Sequence, residues 1–155
     1  MFSHSNTLTR KDQATVDKAV AILEKRAEKS GMSMENSDIA RKYFQLKLAS
    51  LKREHMAVAY LDTGLRLIRC DIEFAGSINE VPIKPIEIAR KALTLSATNV
   101  ILSHNHPSGN LGASEGDIHS TREIQKVLVP FEINVCDHII VTEGGTFSFM
   151  DANLL

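Results

Sequence analysis

Apolar residues recur every three or four positions through the first third of the chain, which predicts two helices. Thr9 followed by Asp12 is typical of a helix N-terminus, and the periodic apolar positions continue from there to Gly31, a common stop residue. A second helix is predicted to begin at Ser37 and Asp38, where a new apolar face starts.

A short polar stretch over residues 31–36 separates these two helices. We therefore predict an N-terminal helical extension over residues 1–35 and a single larger domain over residues 36–155. The length of 155 residues is enough for one domain with its own hydrophobic core.

From residue 54 onward the helical period gives way to short apolar runs that are typical of strands. The run His55–Leu61, the turn sequence at 62–64 and the run at 65–74 together predict a β-hairpin. An irregular segment at 76–84 follows. The remaining predicted elements are a helix starting at Pro85, a strand at 99–104, a helix over Glu115–Leu128 and strands at 133–135, 138–142 and 146–149. This order predicts an α/β (α+β) domain.

Composition narrows the class of protein. Hydrophobic residues make up 43% of the chain and charged residues 24%, as in ordinary globular proteins. No apolar run approaches the roughly 20 residues that span a bilayer, and the first residues lack an apolar signal core. Cys70 and Cys136 lie far apart, which favours two reduced thiols. We expect a cytoplasmic protein without a membrane partner.

The charge is unevenly distributed although the net charge is only −1. Residues 1–53 hold 11 Lys and Arg against 6 Asp and Glu. This basic third could contact an acidic partner such as DNA, or it could simply be solvated helix surface. The exposed first helix also offers a surface for homodimer formation. The basic side chains in question are Lys25, Arg26, Lys29, Arg41, Lys42, Lys47, Lys52 and Arg53.

Candidate chemistry is concentrated between residues 104 and 117. His104 and His106 follow an apolar strand, and residues two apart in an extended chain face the same side. Asp117 lies in the first turn of the next predicted helix. Two imidazoles and one carboxylate can hold a zinc ion with one coordination position open for a water molecule.

A simpler interpretation exists for the second half of this motif. Ser114 and Asp117 have the spacing of a helix N-capping box, which needs no chemistry. The two interpretations are compatible, because a cap would fix the direction of Asp117. Spacing alone leaves both the metal site and the plain cap open.

A hydrolytic zinc site also needs a group that takes and returns a proton, and glutamate suits this role. Glu54 precedes a core strand and shares a face with Met56, and its alternative interpretation is a surface carboxylate at a strand edge. Spacing does not choose among the upstream candidates, which are Glu54, Glu73, Glu80 and Glu87.

The pattern His104-x-His106-x7-Ser114-x-x-Asp117 with an upstream glutamate resembles the JAMM motif of MPN+/JAB metallopeptidases. The wider context is similar to the bacterial RadC-like branch, over about residues 36–150. The resembling stretches are Arg53-Glu54, Ala59-Tyr60-Leu61-Asp62, Pro85-Ile86-Glu87-Ile88-Ala89-Arg90, Ser103-His104-Asn105-His106-Pro107-Ser108-Gly109 and Cys136-Asp137-His138-Ile139-Ile140.

The resemblance implies a role for each motif residue. His104, His106 and Asp117 would bind Zn2+, Glu54 would be the general acid/base, and the hydroxyl of Ser114 would donate to the developing oxyanion. The implied fold is the MPN, or cytidine-deaminase-like, α/β sandwich around a central mixed β-sheet flanked by helices. The implied reaction is zinc-dependent hydrolysis of an amide or isopeptide bond in an unknown protein or peptide substrate.

The sequence departs from the RadC-like pattern in two places, which limits the properties that the resemblance implies for this chain. The first 35 residues are too short for the helix-hairpin-helix module that often precedes the domain, so DNA binding by that route is not expected. The loop at 110–113 lacks the proline often found before the motif serine, but the spacing is kept. The alternative function is a DNA-repair-associated accessory or nucleic-acid-binding protein without peptidase activity. A metal-free scaffold is disfavoured because every ligand position is filled.

Asp137 and His138 form the remaining polar pair. They could hydrogen-bond a ligand histidine, or they could enter a strand facing solvent. The sequence leaves both interpretations open, and neither residue is placed in the ligand set.

Overall fold

The computed structural model describes residues 9–75 and 84–155. Its helices and strands follow the predicted order. A short 3-10 turn, Val129–Phe131, follows the last helix. The elements are α1 (Arg10–Ser30), α2 (Ser37–Leu48), β1 (His55–Leu61), β2 (Leu67–Ala75), α3 (Pro85–Thr94), β3 (Asn99–Asn105), α4 (Glu115–Leu128), β4 (Asn134–Thr142) and β5 (Gly145–Ser148).

The five strands form one sheet in the order β2-β1-β3-β4-β5. The β3–β4 pair is parallel and the other three pairs are antiparallel, so the sheet is mixed. Helix α4 lies in the connection between the parallel strands, as such a crossover requires. Strand β3 is central, and its residue His104 pairs with Met56 on one side and Ile140 on the other.

Alternating residues of the sheet bury two separate faces. On β1, Ala57, Ala59 and Leu61 pack in the cluster that contains α2, through residues such as Phe44. The intervening residues of β1 pack in the cluster that contains α3 and α4, through residues such as Ile124. The sheet therefore lies between helical layers, and the predicted α+β sandwich with a central mixed sheet is confirmed.

Helix α1 begins with the predicted cap. The backbone N–H of Asp12 donates to Thr9 Oγ1 over 3.2 Å, and the Thr9 N–H donates to Asp12 Oδ2 over 3.1 Å. The helix contacts α2 through an ion pair between Glu24 and Lys47. The division at residue 35 stays a prediction.

The structure differs from the predicted bounds at β4, at α3 and at the hairpin turn between β1 and β2. The strands expected at 133–135 and 138–142 are one strand, β4, because Cys136 forms a bulge that interrupts the alternating pattern without ending the strand. The helical period from Pro85 predicts a helix that continues to Ala97, but α3 ends at Thr94, and Ser96 adopts a left-handed φ of 54°.

The hairpin turn is longer than expected, because Leu65 has a left-handed φ of 56° and β2 begins only at Leu67. Most of the irregular segment expected at 76–84 lies outside the described residues. Both cysteines are free thiols, and burial raises the pKa of Cys70 to about 12. Among the described residues, none of the helices has the length and apolarity to cross a membrane.

Candidate metal centre

The structure brings the three predicted metal ligands together. His104 Nε2 lies 2.8 Å from His106 Nε2 and 3.2 Å from Asp117 Oδ1. The distance from His106 Nε2 to Asp117 Oδ2 is 3.4 Å. His104 and Asp117 are almost completely buried, and His106 is half-buried at the opening of the site. These atoms could surround a single metal ion.

The local sequence explains why Asp117 points at the histidines. Asp117 Oδ2 accepts a 2.8 Å hydrogen bond from the Ser114 N–H, and Ser114 Oγ accepts a 3.1 Å bond from the Asp117 N–H. The capping box is therefore present, and it fixes the carboxylate with its other oxygen towards His104. Ser114 is exposed, and its hydroxyl proton is not used in the cap.

His138 contacts the site from behind His104. Its Nε2 atom lies 2.7 Å from His104 Nδ1, and its Nδ1 atom lies 2.6 Å from Thr121 Oγ1. The Thr121 hydroxyl donates in turn to the backbone carbonyl of Asp117 over 2.6 Å. Of the two interpretations of His138, the hydrogen bond to a ligand histidine is the one the structure supports.

These contacts fix where the protons lie. A carbonyl oxygen only accepts, so the single hydroxyl proton of Thr121 must be directed at Asp117. Thr121 Oγ1 then accepts from His138 Nδ1–H. Burial lowers the pKa of His138 well below its usual range, so the ring is neutral and its Nε2 accepts from His104 Nδ1–H. His104 is left with a lone pair on Nε2.

A different contact leaves His106, like His104, with a lone pair on Nε2. Its Nδ1–H donates to the backbone carbonyl of Asn110 over 2.7 Å, which leaves the lone pair on Nε2. Two imidazole lone pairs 2.8 Å apart, beside a carboxylate, repel each other unless a cation lies between them. Two imidazole nitrogens and one carboxylate are a donor set that zinc uses in hydrolytic sites. The residues therefore fit a zinc ion.

Without a metal ion, a proton on one of these nitrogens supplies the positive charge between them. A hydrogen bond with Asp117 raises the pKa of His106, burial opposes this, and the negative charge of Glu54 adds to the increase. Burial would raise the pKa of Asp117, but the contacts with His104 and His106 outweigh it and lower that pKa strongly. Asp117 is thus a carboxylate at neutral pH.

Asp137 has a different role from its neighbour. It is buried, and its carboxylate accepts hydrogen bonds from the Ser148 hydroxyl (2.7 Å), the Met150 N–H (3.0 Å) and the His138 N–H (2.7 Å). Burial raises the pKa of Asp137 despite these bonds. The residue ties β4 to the turn after β5, and neither interpretation from the sequence describes this arrangement.

Of the candidate general bases among the described residues, Glu54 is the one whose charge acts on a candidate ligand. It directly precedes β1, is half-buried, and acts electrostatically on His106. Continuing the β1–β3 register by two residues from the Met56–His104 pair places Glu54 opposite His106.

The other glutamates are used elsewhere or lie outside the described residues. Glu73 accepts hydrogen bonds from the Tyr60 hydroxyl and the Lys91 ammonium, both over 2.7 Å. Glu87 forms an ion pair with Arg90 on the surface of α3. Glu80 is not among the described residues.

Two residues in contact with the motif were not predicted. Thr121 lies one helical turn after Asp117, so the i, i+4 spacing on a helix was the available signal. Asn105 lies between the two histidines and is 1% exposed. Its partners are distant in sequence, so no local pattern revealed its contacts.

A cavity of about 430 Å³ opens beside His106. Its walls are the end of α2 and the segment after it (49–52), the motif loop (106–109) and the β4–β5 turn (143–144). Lys52 and Glu143 are the charged residues in its walls besides the histidine. The cavity provides room for a substrate next to the candidate metal ligands.

Two of the basic side chains in the first third of the chain form ion pairs within the protein. Lys47 pairs with Glu24, and Arg41 pairs with Asp151 at the other end of the chain. DNA association remains a prediction, and binding through the other basic residues should weaken steeply with salt. A gel shift that is absent at low salt would contradict it.

A mixed-sheet domain with a buried His-His-Asp centre is the architecture expected of JAB-type proteins. The family model for the RadC-like JAB domain matches residues 34–154, and the chain belongs to this family. Of its relatives, the UPF0758 proteins YfjY and YkfG of Escherichia coli K12 are 36% and 34% identical to it. Those alignments cover 92% and 96% of this chain and 89% and 94% of the relatives. The UPF0758 protein Smlt0399 of Stenotrophomonas maltophilia is 41% identical over 74% of this chain, which covers 49% of that longer protein.

The hydrogen-bonded chain behind His104 leads to a first prediction. Thr121→Val keeps the side-chain shape but leaves His138 Nδ1–H without its acceptor, so we expect zinc affinity to fall by about 10- to 100-fold. Competition with a chelator of known affinity measures this. Ser103→Ala is the matched control, since it removes another buried hydroxyl, on β3, that donates to a backbone carbonyl, that of Ile139 on β4. Equal zinc affinities for the two variants would refute the role of Thr121.

The raised pKa of His106 leads to a second prediction. Below that pKa the ring carries a proton on the nitrogen that would bind zinc, so zinc must displace the proton. Zinc affinity should be highest at alkaline pH and fall as the pH decreases, beginning above the ordinary imidazole value of 6.5. Titrations with a zinc-sensitive competitor at a series of pH values measure the midpoint. A zinc affinity that starts to fall only well below this value would contradict the prediction.

Proposed function

We propose that this protein is a JAMM-type zinc metallopeptidase that hydrolyses an amide or isopeptide bond in a protein or peptide. The observation that carries the proposal is the convergence of His104 Nε2, His106 Nε2 and the Asp117 carboxylate, with both imidazole lone pairs directed into the site. The names of the relatives state no activity, so the proposal rests on the site and on the family resemblance.

Zinc bound by these residues would supply Lewis-acid polarisation of the attacking water and of the substrate carbonyl. Glu54, on the His106 side, takes a proton from the water as its oxygen attacks the carbonyl carbon. The same proton passes to the leaving nitrogen as the carbon–nitrogen bond breaks. Glu54 thus begins and ends the reaction as a carboxylate.

Ser114 can act on the substrate without leaving its structural position. Its Oγ accepts the Asp117 N–H in the cap, and its own hydroxyl proton is available on the exposed side. A hydroxyl donor aimed at the carbonyl oxygen stabilises the negative charge that develops there. One serine therefore serves both as the helix cap and as the oxyanion donor in this proposal.

The cavity beside His106 gives the substrate a route to the site. Backbone and small side chains form much of its wall, and one basic and one acidic residue, Lys52 and Glu143, leave it without a strong net charge. An extended peptide segment suits such a polar, open cleft better than a large apolar ligand.

A set of variants tests the proposed function. We expect one zinc per chain in the parent, loss of zinc in His104→Ala and Asp117→Ala, and retained zinc with abolished hydrolysis in Glu54→Gln. Ser114→Ala should keep zinc and lose about 100- to 1,000-fold in rate. Elemental analysis gives the zinc content, and fluorogenic peptide and isopeptide substrates give the rate.

Glu87→Gln is the matched control, because it neutralises an upstream glutamate that pairs with Arg90 on the surface. Its zinc content and rate should equal those of the parent. A parent protein that holds no zinc after reconstitution would overturn the proposal, as would full activity in Glu54→Gln.

A further inference from the structure

Asn105 connects the metal motif to the segment that carries Glu54. It is the last residue of β3, and its side chain lies on the opposite side of the strand from His104. Asn105 Nδ2 donates to the carbonyls of Leu51 and Arg53, each over 3.0 Å. Its Oδ1 accepts from the His55 N–H over 2.7 Å. Both amide protons and the amide oxygen are therefore used.

The segment held in this way has no regular structure of its own. Residues 51–54 lie between the end of α2 and the start of β1, outside any helix or strand. Ladder hydrogen bonds therefore do not set the backbone there; a bond from the Leu51 N–H to the Leu48 carbonyl holds the start of the segment, and the Asn105 side chain binds the carbonyls of Leu51 and Arg53. Two of the three Asn105 contacts, at Arg53 and His55, lie on either side of Glu54 in the chain.

The neighbouring ligands make this anchoring functionally significant. Asn105 is covalently linked to both His104 and His106, so its side chain fixes the 51–55 backbone relative to the metal ligands themselves. Glu54 is held at the His106 side, where its charge influences that imidazole. A general base must be held within hydrogen-bond reach of its water, and small displacements are costly.

We propose that Asn105 is the positioning residue that holds Glu54 in place beside the metal centre. This inference rests on the proposed function for the role of Glu54, but the contacts of Asn105 do not depend on it. Asn105 itself contacts neither metal nor substrate. It acts through the backbone on both sides of Glu54.

The chain offers a matched control on the same strand. Asn99 is the first residue of β3, and its Nδ2 also donates to a backbone carbonyl across the β1–β3 pair, that of Asp62, over 3.0 Å. Asn99→Ala removes a similar hydrogen bond at the end of the strand away from the site. A general loss of strand order would therefore affect both variants.

The test compares Asn105→Ala, Asn99→Ala and the parent chain in two measurements. In the metal-free protein, amide exchange at His55 should accelerate by about tenfold or more in Asn105→Ala and stay unchanged in Asn99→Ala. In the Co2+-loaded protein, the pseudocontact shift of the Glu54 amide should change in Asn105→Ala, while that of Ile140, opposite His104, should not. Co2+ affinity should remain close to that of the parent.

Hydrolysis gives a third measurement. Asn105→Ala should lower the rate by about 100-fold while its zinc content stays that of the parent, and Asn99→Ala should keep the parent rate. If the alanine variant does not fold, Asn105→Ser, which keeps a smaller polar group in the same space, should show the same changes at reduced size.

Parent-like exchange at His55 and a parent-like shift at Glu54 in Asn105→Ala would overturn the inference, as would equal effects of the two asparagine variants. Failure of the parent to bind Co2+ would contradict the proposed metal centre instead. The exchange rates of the metal-free chain would still decide whether Asn105 anchors the segment.

Discussion

Three short hydrogen bonds link the central strand of the sheet to helix α4, and the geometry of the candidate site depends on them. They run from His104 to His138, from His138 to Thr121 and from Thr121 to the backbone of Asp117. Because the last acceptor is a carbonyl, the whole chain can point in only one direction. The result is a lone pair on His104 Nε2, aimed at the same point as those of His106 and Asp117. Two lone pairs and a carboxylate directed at one buried point are unfavourable without a cation. The hydrogen bonds that orient them therefore favour a bound cation at that point.

The carboxyl end of β3 performs two tasks because a strand presents two faces. One face carries His104 towards α4, and the other carries Asn105 towards the segment before β1. The cap at Ser114 then brings Asp117 to the first face. The candidate ligand His104 and the contact to the segment that carries Glu54 thus both depend on one strand end. This strand is paired on both sides, which gives it the rigidity that a catalytic arrangement needs.

Much of this could be predicted from the sequence, and the exceptions share a physical cause. The bounds of β1 and α4 agree with the predictions because their apolar periods are uninterrupted and their ends are marked by turn or capping residues. Strand β4 was divided in two because a bulge at Cys136 shifts the alternating pattern, which is set by pairing with β3. The three candidate ligands were predicted from local spacing and from the resemblance to a known motif, and the structure brings them together. Thr121 and Asn105 were not predicted, because the contact of Thr121 with His138 spans 17 residues and the contacts of Asn105 span 50 to 54, which local periodicity does not reveal.

The proposed metal centre is tested most directly by the position of the imidazole protons in the zinc-loaded protein, measured by long-range proton–nitrogen NMR correlation. We expect His104, His106 and His138 all to carry their proton on Nδ1, and zinc to shift the Nε2 resonances of His104 and His106 only. A proton on Nε2 of His138, or Nε2 resonances of the two ligands that do not respond to zinc, would contradict the proposed metal centre.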